Sequence, residues 1–181
     1  MKQKVLILHG WGGSDFPHWQ SWLAAELAKD YGKVSFLKFS NIDLPNKSEW
    51  KKELIKELDD FKPDIVICHS IANIVWFHIC NDIKPAEVDK LFLVVPPSLT
   101  CGIPELASFY PCEIPVNLFA QESLLITSTN DPYMTQDEAA ALQTSLNIPM
   151  KVLQNAGHIN ADSGYGEWPW LLETVKNISN K

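Results

Sequence analysis

Six short apolar runs punctuate this chain, at residues 5–9, 34–39, 65–68, 91–95, 124–127 and, more weakly, 151–154. They are rich in Val, Ile and Leu and do not alternate with polar residues. A strand with one wet face alternates; a strand covered on both faces does not, and parallel sheets sandwiched between helices supply such strands. The stretches between the runs have helical spacing. Trp19, Trp22, Leu23, Glu26 and Leu27 recur at intervals of three and four, and Trp50, Leu54 and Leu58 do the same with Lys and Glu on the other side. Asn46 stands three residues before Glu49 and Thr135 three before Glu138, two candidate capping boxes. Trp170, Leu171, Val175 and Ile178 predict a last helix. Strand and helix therefore alternate along the chain. The expected fold is α/β: a mostly parallel sheet of about six strands flanked by helices, in a single domain over residues 1–181.

Sheets of this kind build their sites at the carboxyl ends of the strands. The third run ends in Ile67-Cys68-His69-Ser70-Ile71-Ala72 and passes directly into a helical pattern. A Ser on such a strand-to-helix turn is a candidate nucleophile elbow, though a Ser in that place also serves as an ordinary helix N-cap. The turn needs small residues two before and two after the Ser. The usual glycines are replaced here by Cys68 and Ala72. The fifth run ends in Thr127-Ser128-Thr129-Asn130-Asp131-Pro132, and the sixth leads to Asn155-Ala156-Gly157-His158. Ser70, Asp131 and His158 thus follow three strands in the order Ser, Asp, His, which is that of the α/β-hydrolase triad. An Asp before Pro is by itself a turn residue, and a lone His after Gly a loop residue. The three together, each just past a strand, point to acyl transfer.

A serine hydroxyl is a poor nucleophile until a neighbouring base takes its proton. His158 suits that role near neutral pH, and Asp131 would hold its tautomer and stabilise the imidazolium. The first run ends in His9-Gly10-Trp11-Gly12-Gly13. That glycine-rich turn would aim the backbone N–H of Trp11 at the elbow, beside the N–H of Ile71, as an oxyanion hole. It has neither the Lys nor the spacing of a phosphate-binding loop. Among the other histidines, His9 is expected to brace the oxyanion loop at the edge of the pocket. His18 is placed at the pocket mouth or, equally, on the surface, His69 under the elbow or in the pocket wall, and His78 in the structure of a helix. Asp162 is the rival to Asp131. No histidine pair has metal-ligand spacing, and no metal or cofactor is expected.

Charge narrows the partners. The formal net charge is −7, and all 15 basic residues are Lys. Without a basic patch, nucleic acid and anionic membrane surfaces are not expected partners. No apolar run approaches the length of a membrane helix or of a signal peptide, so a cytoplasmic location is expected. Cys68, Cys80, Cys101 and Cys112 form no C-x-x-C pair and are read as reduced thiols.

Residues 157–169, Gly-His-Ile-Asn-Ala-Asp-Ser-Gly-Tyr-Gly-Glu-Trp-Pro, resemble a motif of the retinoblastoma-binding protein 9 family, the YdeN-like small serine hydrolases. His9-Gly10 with His18-Trp19, His69-Ser70, Pro96-Pro97 and Asn130-Asp131-Pro132-Tyr133 extend the resemblance along the whole chain. It implies a compact α/β-hydrolase fold with a minimal cap and a triad at Ser70, Asp131 and His158. Cys68 and Ala72 depart from the family's elbow, where a smaller residue precedes His-Ser and Gly follows two after Ser. Ala72 is tolerable there, whereas Cys68 is expected to tilt the elbow or lower activity.

The stretch 96–115 is the one loop long enough for a lid, with Leu106, Phe109 and Tyr110 as its apolar residues. A lid this short implies an open pocket and small soluble esters. Tyr133 is a candidate pocket residue; Trp11, Trp19, Trp76 and Trp168 are core residues first and pocket residues second. The same machinery would serve an amidase or peptidase. A weakly active or non-catalytic protein-binding role is the reading from a different class, although nothing in the sequence indicates a protein partner.

Overall fold

The computed structural model describes residues 3–29 and 32–177. Strands β1 (Lys4–Leu8), β2 (Lys33–Leu37), β3 (Ile65–His69), β4 (Val88–Val94), β5 (Ala120–Ser128) and β6 (Met150–Leu153) form one sheet. Their order is β2-β1-β3-β4-β5-β6, and every pairing is parallel. Helices α1 (Trp19–Lys29), α2 (Lys47–Phe61), α3 (Ile71–Asp82), α4 (Gln136–Leu146) and α5 (Pro169–Lys176) cover its faces.

Successive residues of one strand feed opposite layers, which is why the runs carry no polar alternation. Val5, Ile7, Ile65 and Ile67 pack with Trp19, Leu23, Leu27, Leu171 and Val175 of α1 and α5. Leu6, Leu8, Val66 and Cys68 pack with Trp50, Leu54, Ile74 and Leu142 of α2, α3 and α4. Every residue of β3 is buried, and so is every residue of α3 from Ile71 to Cys80. A helix apolar all round is a core helix when it is this short. No helix among the described residues is long and apolar enough to cross a membrane.

Strand ends differ from the sequence reading where charge masks them. β4 begins at Val88, and Lys90 pairs across the ladder with Glu122 of β5, Nζ to Oε2 3.2 Å. Both strands extend beyond their apolar runs because these outer ends lie half in solvent. The caps divide as well. Thr135 and Glu138 form the full reciprocal box at α4. At α2, Asn46 accepts from the N–H groups of Ser48 and Glu49, but the Glu49 carboxylate instead accepts from Asn41 Nδ2 at 2.9 Å. Ile178, expected in the last helix, lies outside the described residues.

The topology positions the site. From β1 the chain moves outward to β2, returns over β1 to β3, and then proceeds the other way to β6. The direction reverses between β1 and β3, so α1 and α3 depart to opposite faces and leave a crevice at the carboxyl ends of these two strands.

Candidate active site

Ser70 joins β3 to α3 with φ 55° and ψ −128°. A non-glycine residue with this backbone geometry is strained and persists only when its surroundings impose it. Its side chain makes no capping hydrogen bond, which rules out the N-cap role. Two anchors impose the turn. Ser70 N donates to Val94 O at 3.0 Å, and Asn73 Nδ2 donates to Ser70 O at 2.7 Å and to Val94 O at 3.0 Å. Sequence reasoning missed Asn73. Its signal is an amide within the apolar first turns of α3, which in a core needs a hydrogen-bonding purpose.

Cys68 and Ala72 do not crowd the elbow. Cys68 sits between Leu8 and Leu93 in the ladder, and both residues are fully buried in the layer beneath α2 and α3. The turn forms with its strained geometry in their presence. Burial also raises the Cys68 thiol well above its ordinary pKa, which keeps it an inert neutral group.

The three strand ends converge. His158 Nε2 lies 2.8 Å from Ser70 Oγ, and His158 Nδ1 lies 2.9 and 3.1 Å from the two oxygens of Asp131. An ionised carboxylate only accepts, so Nδ1 carries the proton and Nε2 presents its lone pair to the serine hydroxyl. Asp131 is held by its own turn, with Tyr133 N donating to Oδ1 at 2.9 Å. Its rival Asp162 lies on a short 3₁₀ turn, Ala161–Ser163, exposed at the cavity wall and unbonded to His158. Asn130, given no role of its own by the sequence, ties the two loops together: Oδ1 accepts from Gly157 N at 2.7 Å and from Ser128 Oγ at 2.9 Å. The motif at 157–164 has a local physical reason. Gly157 has φ +56°, a Cβ there would collide with Ser163 Oγ, and that oxygen accepts from His158 N at 3.1 Å.

Gly10, two residues past the end of β1, lies against the elbow, and a Cβ there would stand 2.7 Å from Ser70 Cβ. Beyond it, Gly12 N donates to Ile42 O and Gly13 N to Gly10 O. The N–H groups of Trp11 and Ile71 have no partner among the described residues. Ile71 is the first residue of α3, where the helix dipole adds a partial positive charge.

A cavity of about 380 Å³ opens over these groups. It brings together Trp11, Ser70 and His158 with His18, His69 and Tyr133, while Pro97, Ile103 and Leu106 form the opposite wall. Asp15 and Asp162 are its carboxylates, and no Lys lines it. Trp19, Trp76 and Trp168 are buried in the core. His9 is a correction: it does not line this cavity. Its Nδ1 lies 2.7 Å from Gly10 O and its Nε2 accepts from Phe39 N, so it packs behind the glycine loop. His69 donates from Nε2 to His158 O at 3.1 Å, and its Nδ1 is sealed without a partner. Burial keeps it well below the ordinary histidine pKa. His78 lies in α3 as a structural group, 2.7 Å from Phe109 O.

The stretch 96–115 is a wall, not a lid. It carries a 3₁₀ helix, Pro104–Phe109, whose Phe109 is fully buried against Trp50. His78, Asn81 Nδ2 to Glu113 O and Ser98 N to Tyr133 O pin it along its length. Among the described residues no three His, Cys, Asp or Glu side chains converge in a metal-binding group.

The model of a family described as serine hydrolase matches residues 5–177. No curated protein sequence matches the chain significantly. Among solved structures, the ydeN gene product of B. subtilis superposes with a TM-score of 0.85 at 19% identity, covering 99% of this chain and 100% of that one. A YdeN-like hydrolase of Pectobacterium atrosepticum, itself named as putative, gives 0.72 at 21%, covering 96% and 89%. The esterase domain of a Rhodothermus marinus protein gives 0.65 at 15%, covering 96% and 84%. At these identities the likeness is one of fold, the α/β-hydrolase fold expected from the motifs.

Proposed function

The chain belongs to the serine hydrolase family, and from that premise we propose that it cleaves small carboxylic esters at Ser70 through a covalent acyl-enzyme. The observation that carries this reading is the unbroken hydrogen-bond chain from Asp131 through His158 to Ser70 Oγ.

In the first half-reaction His158 Nε2 takes the proton of Ser70 Oγ as the oxygen attacks the ester carbonyl. The negative charge moves to the carbonyl oxygen, where the free N–H groups of Trp11 and Ile71 receive it. Each such donor lowers the barrier by roughly 3 kcal/mol in a water-poor site. Asp131 stays ionised and stabilises the imidazolium, which then gives its proton to the departing alkoxide. In the second half-reaction His158 removes a proton from water, the hydroxide attacks the acyl carbon, and Ser70 leaves with the proton returned by His158. The cavity volume fits a small acyl group. A wall that carries carboxylates and no Lys favours neutral over anionic esters.

A fluorophosphonate probe tests the site without knowledge of the natural substrate. The expected result is a single adduct, located on Ser70 by mass spectrometry and lost in His158→Ala. A folded protein that leaves the probe unreacted would overturn the reading and favour a role in protein binding.

A further inference from the structure

We propose that His18 determines specificity at this site: its Nε2–H opens on the cavity beside Ser70 and donates to an oxygen that the substrate carries close to the scissile ester. The substrates favoured are then alkoxy- or hydroxy-substituted esters over plain alkyl ones. The inference rests on the reading of Ser70 as the nucleophile.

The tautomer of His18 follows from its backbone surroundings. Gln20 N donates to His18 Nδ1 at 3.2 Å, so Nδ1 carries the lone pair and the proton of the neutral ring is on Nε2. The ring cannot swing away cheaply. Gln20 is fully buried and donates from Nε2 to Leu8 O at 2.9 Å, which fastens the start of α1 to the end of β1. His18 N donates to Asp15 O, and His18 O accepts from Ser21 and Trp22.

The position follows from the packing. His18 is 5% exposed, and it lines the cavity that holds Ser70 and His158. Its ring centroid lies 5.0 Å from that of His69, whose ring is 5.3 Å from that of His158. Three imidazoles thus form one wall. Nε2 has no protein partner, yet it is not among the sealed polar atoms of the interior, unlike Nδ1 of the adjacent His69. What little of His18 is exposed therefore includes this donor, and the cavity that His18 lines is the one over Ser70.

The protonation state suits a steady donor. Burial first, then the neighbouring His158 and His9, lowers His18 to about 4. It remains a neutral N–H while His158 cycles through its charged form, and it does not compete as a base. A substrate oxygen that accepts this hydrogen bond gains over a methylene in the same place, which cannot accept one.

Isosteric ester pairs read this directly. On the acyl side the pair is p-nitrophenyl methoxyacetate and p-nitrophenyl butyrate; on the alcohol side it is 2-methoxyethyl acetate and butyl acetate. In each pair an oxygen replaces a methylene, and the intrinsic reactivity of the two esters cancels when wild type and variant are compared. The expected result in His18→Phe is a fall of about fivefold in the oxygen-to-methylene ratio of kcat/KM for one pair, the size of one neutral hydrogen bond. The plain alkyl ester is the internal reference of each pair, so the ratio and not either rate alone is read. His18→Gln, which keeps an amide N–H at similar reach, is expected to retain most of the preference. If the Phe variant does not fold, His18→Met supplies a second ring-free, donor-free comparison. Ratios unchanged in both pairs, or all four esters slowed equally, overturn the inference. Turnover that persists in Ser70→Ala overturns instead the reading of the site on which it rests.

Discussion

A Cβ on Gly10 would stand 2.7 Å from the Cβ of Ser70 and 3.3 Å from its Oγ. The loop that leaves β1 is therefore packed against the elbow as closely as a backbone without a side chain allows. Gly10→Ala must push either the glycine loop or the serine from its place. Displacements of about 1 Å cost on the order of 100-fold in such sites. The expected outcome is a loss of that size in ester kcat/KM, with circular dichroism unchanged. A Gly10→Ala variant of normal activity would show that the loop yields without disturbing the serine.

Asp131 and Asp162 separate by their partners. Both oxygens of Asp131 meet His158 Nδ1, whereas Asp162 makes no such contact. Asp131→Asn can offer an N–H to Nδ1 and favour the wrong tautomer. Its kcat is expected to fall by about three to four orders of magnitude. Asp162→Asn is expected to stay within about threefold of wild type, as an exposed carboxylate outside the proton path should. Steady-state rates on one p-nitrophenyl ester decide between the two residues.

Asn73 carries the elbow's backbone. Asn73→Ala leaves Ser70 O and Val94 O without their side-chain donor in a buried place. Both carbonyls keep a backbone donor, Asn73 N and Ser70 N, so the loss is that of two side-chain hydrogen bonds, about 0.5–1.5 kcal/mol each. Urea melts should show a loss of that order, and kcat should fall with it because the released strain lets Ser70 drift. Lost stability with undiminished kcat would mean that Asn73 serves the core alone.

Acid should unfold this protein earlier than its carboxylates alone would require. His9, His18, His69 and His78 are all lowered, with burial the first cause in each. The unfolded chain takes up these protons near pH 6.5, while folded His18 resists until about 4. Over that interval the unfolded state binds more protons, so stability is full above pH 6.5 and declines as pH falls through the window. His18 alone accounts for a loss on the order of 3 kcal/mol between those limits. Thermal melts at pH 7, 5.5 and 4.5 should show Tm falling throughout, and His18→Gln should flatten part of the slope. A Tm unchanged from pH 7 to 5 contradicts the buried neutral histidines.

Much of the fold was legible before any coordinate. Non-alternating runs such as Ile65–His69 can be strands only if both faces are covered, and β3 is buried throughout. The order Ser70, Asp131, His158 marked the candidate site because parallel strands bring their carboxyl ends together. The starts of β4 and β5 were hidden because Lys90 and Glu122 satisfy each other across the ladder rather than by burial. Asn130 was hidden because its role is a bond to Gly157, 27 positions away in the chain.

Local pattern thus determined what each segment becomes and which side chains end at the active edge, since apolar periodicity and turn chemistry act over a few residues. Only the tertiary structure decided the roles of residues whose partners are remote. It placed His9 behind the glycine loop and His18 in the cavity, although both follow the same strand. It set Asp131, and not Asp162, against His158 Nδ1, and it turned residues 96–115 into a pinned wall. The physical reason is common to all of these: a polar group's role depends on which donor or acceptor packing brings within about 3 Å, and that is set by the fold rather than by the residue's neighbours in sequence.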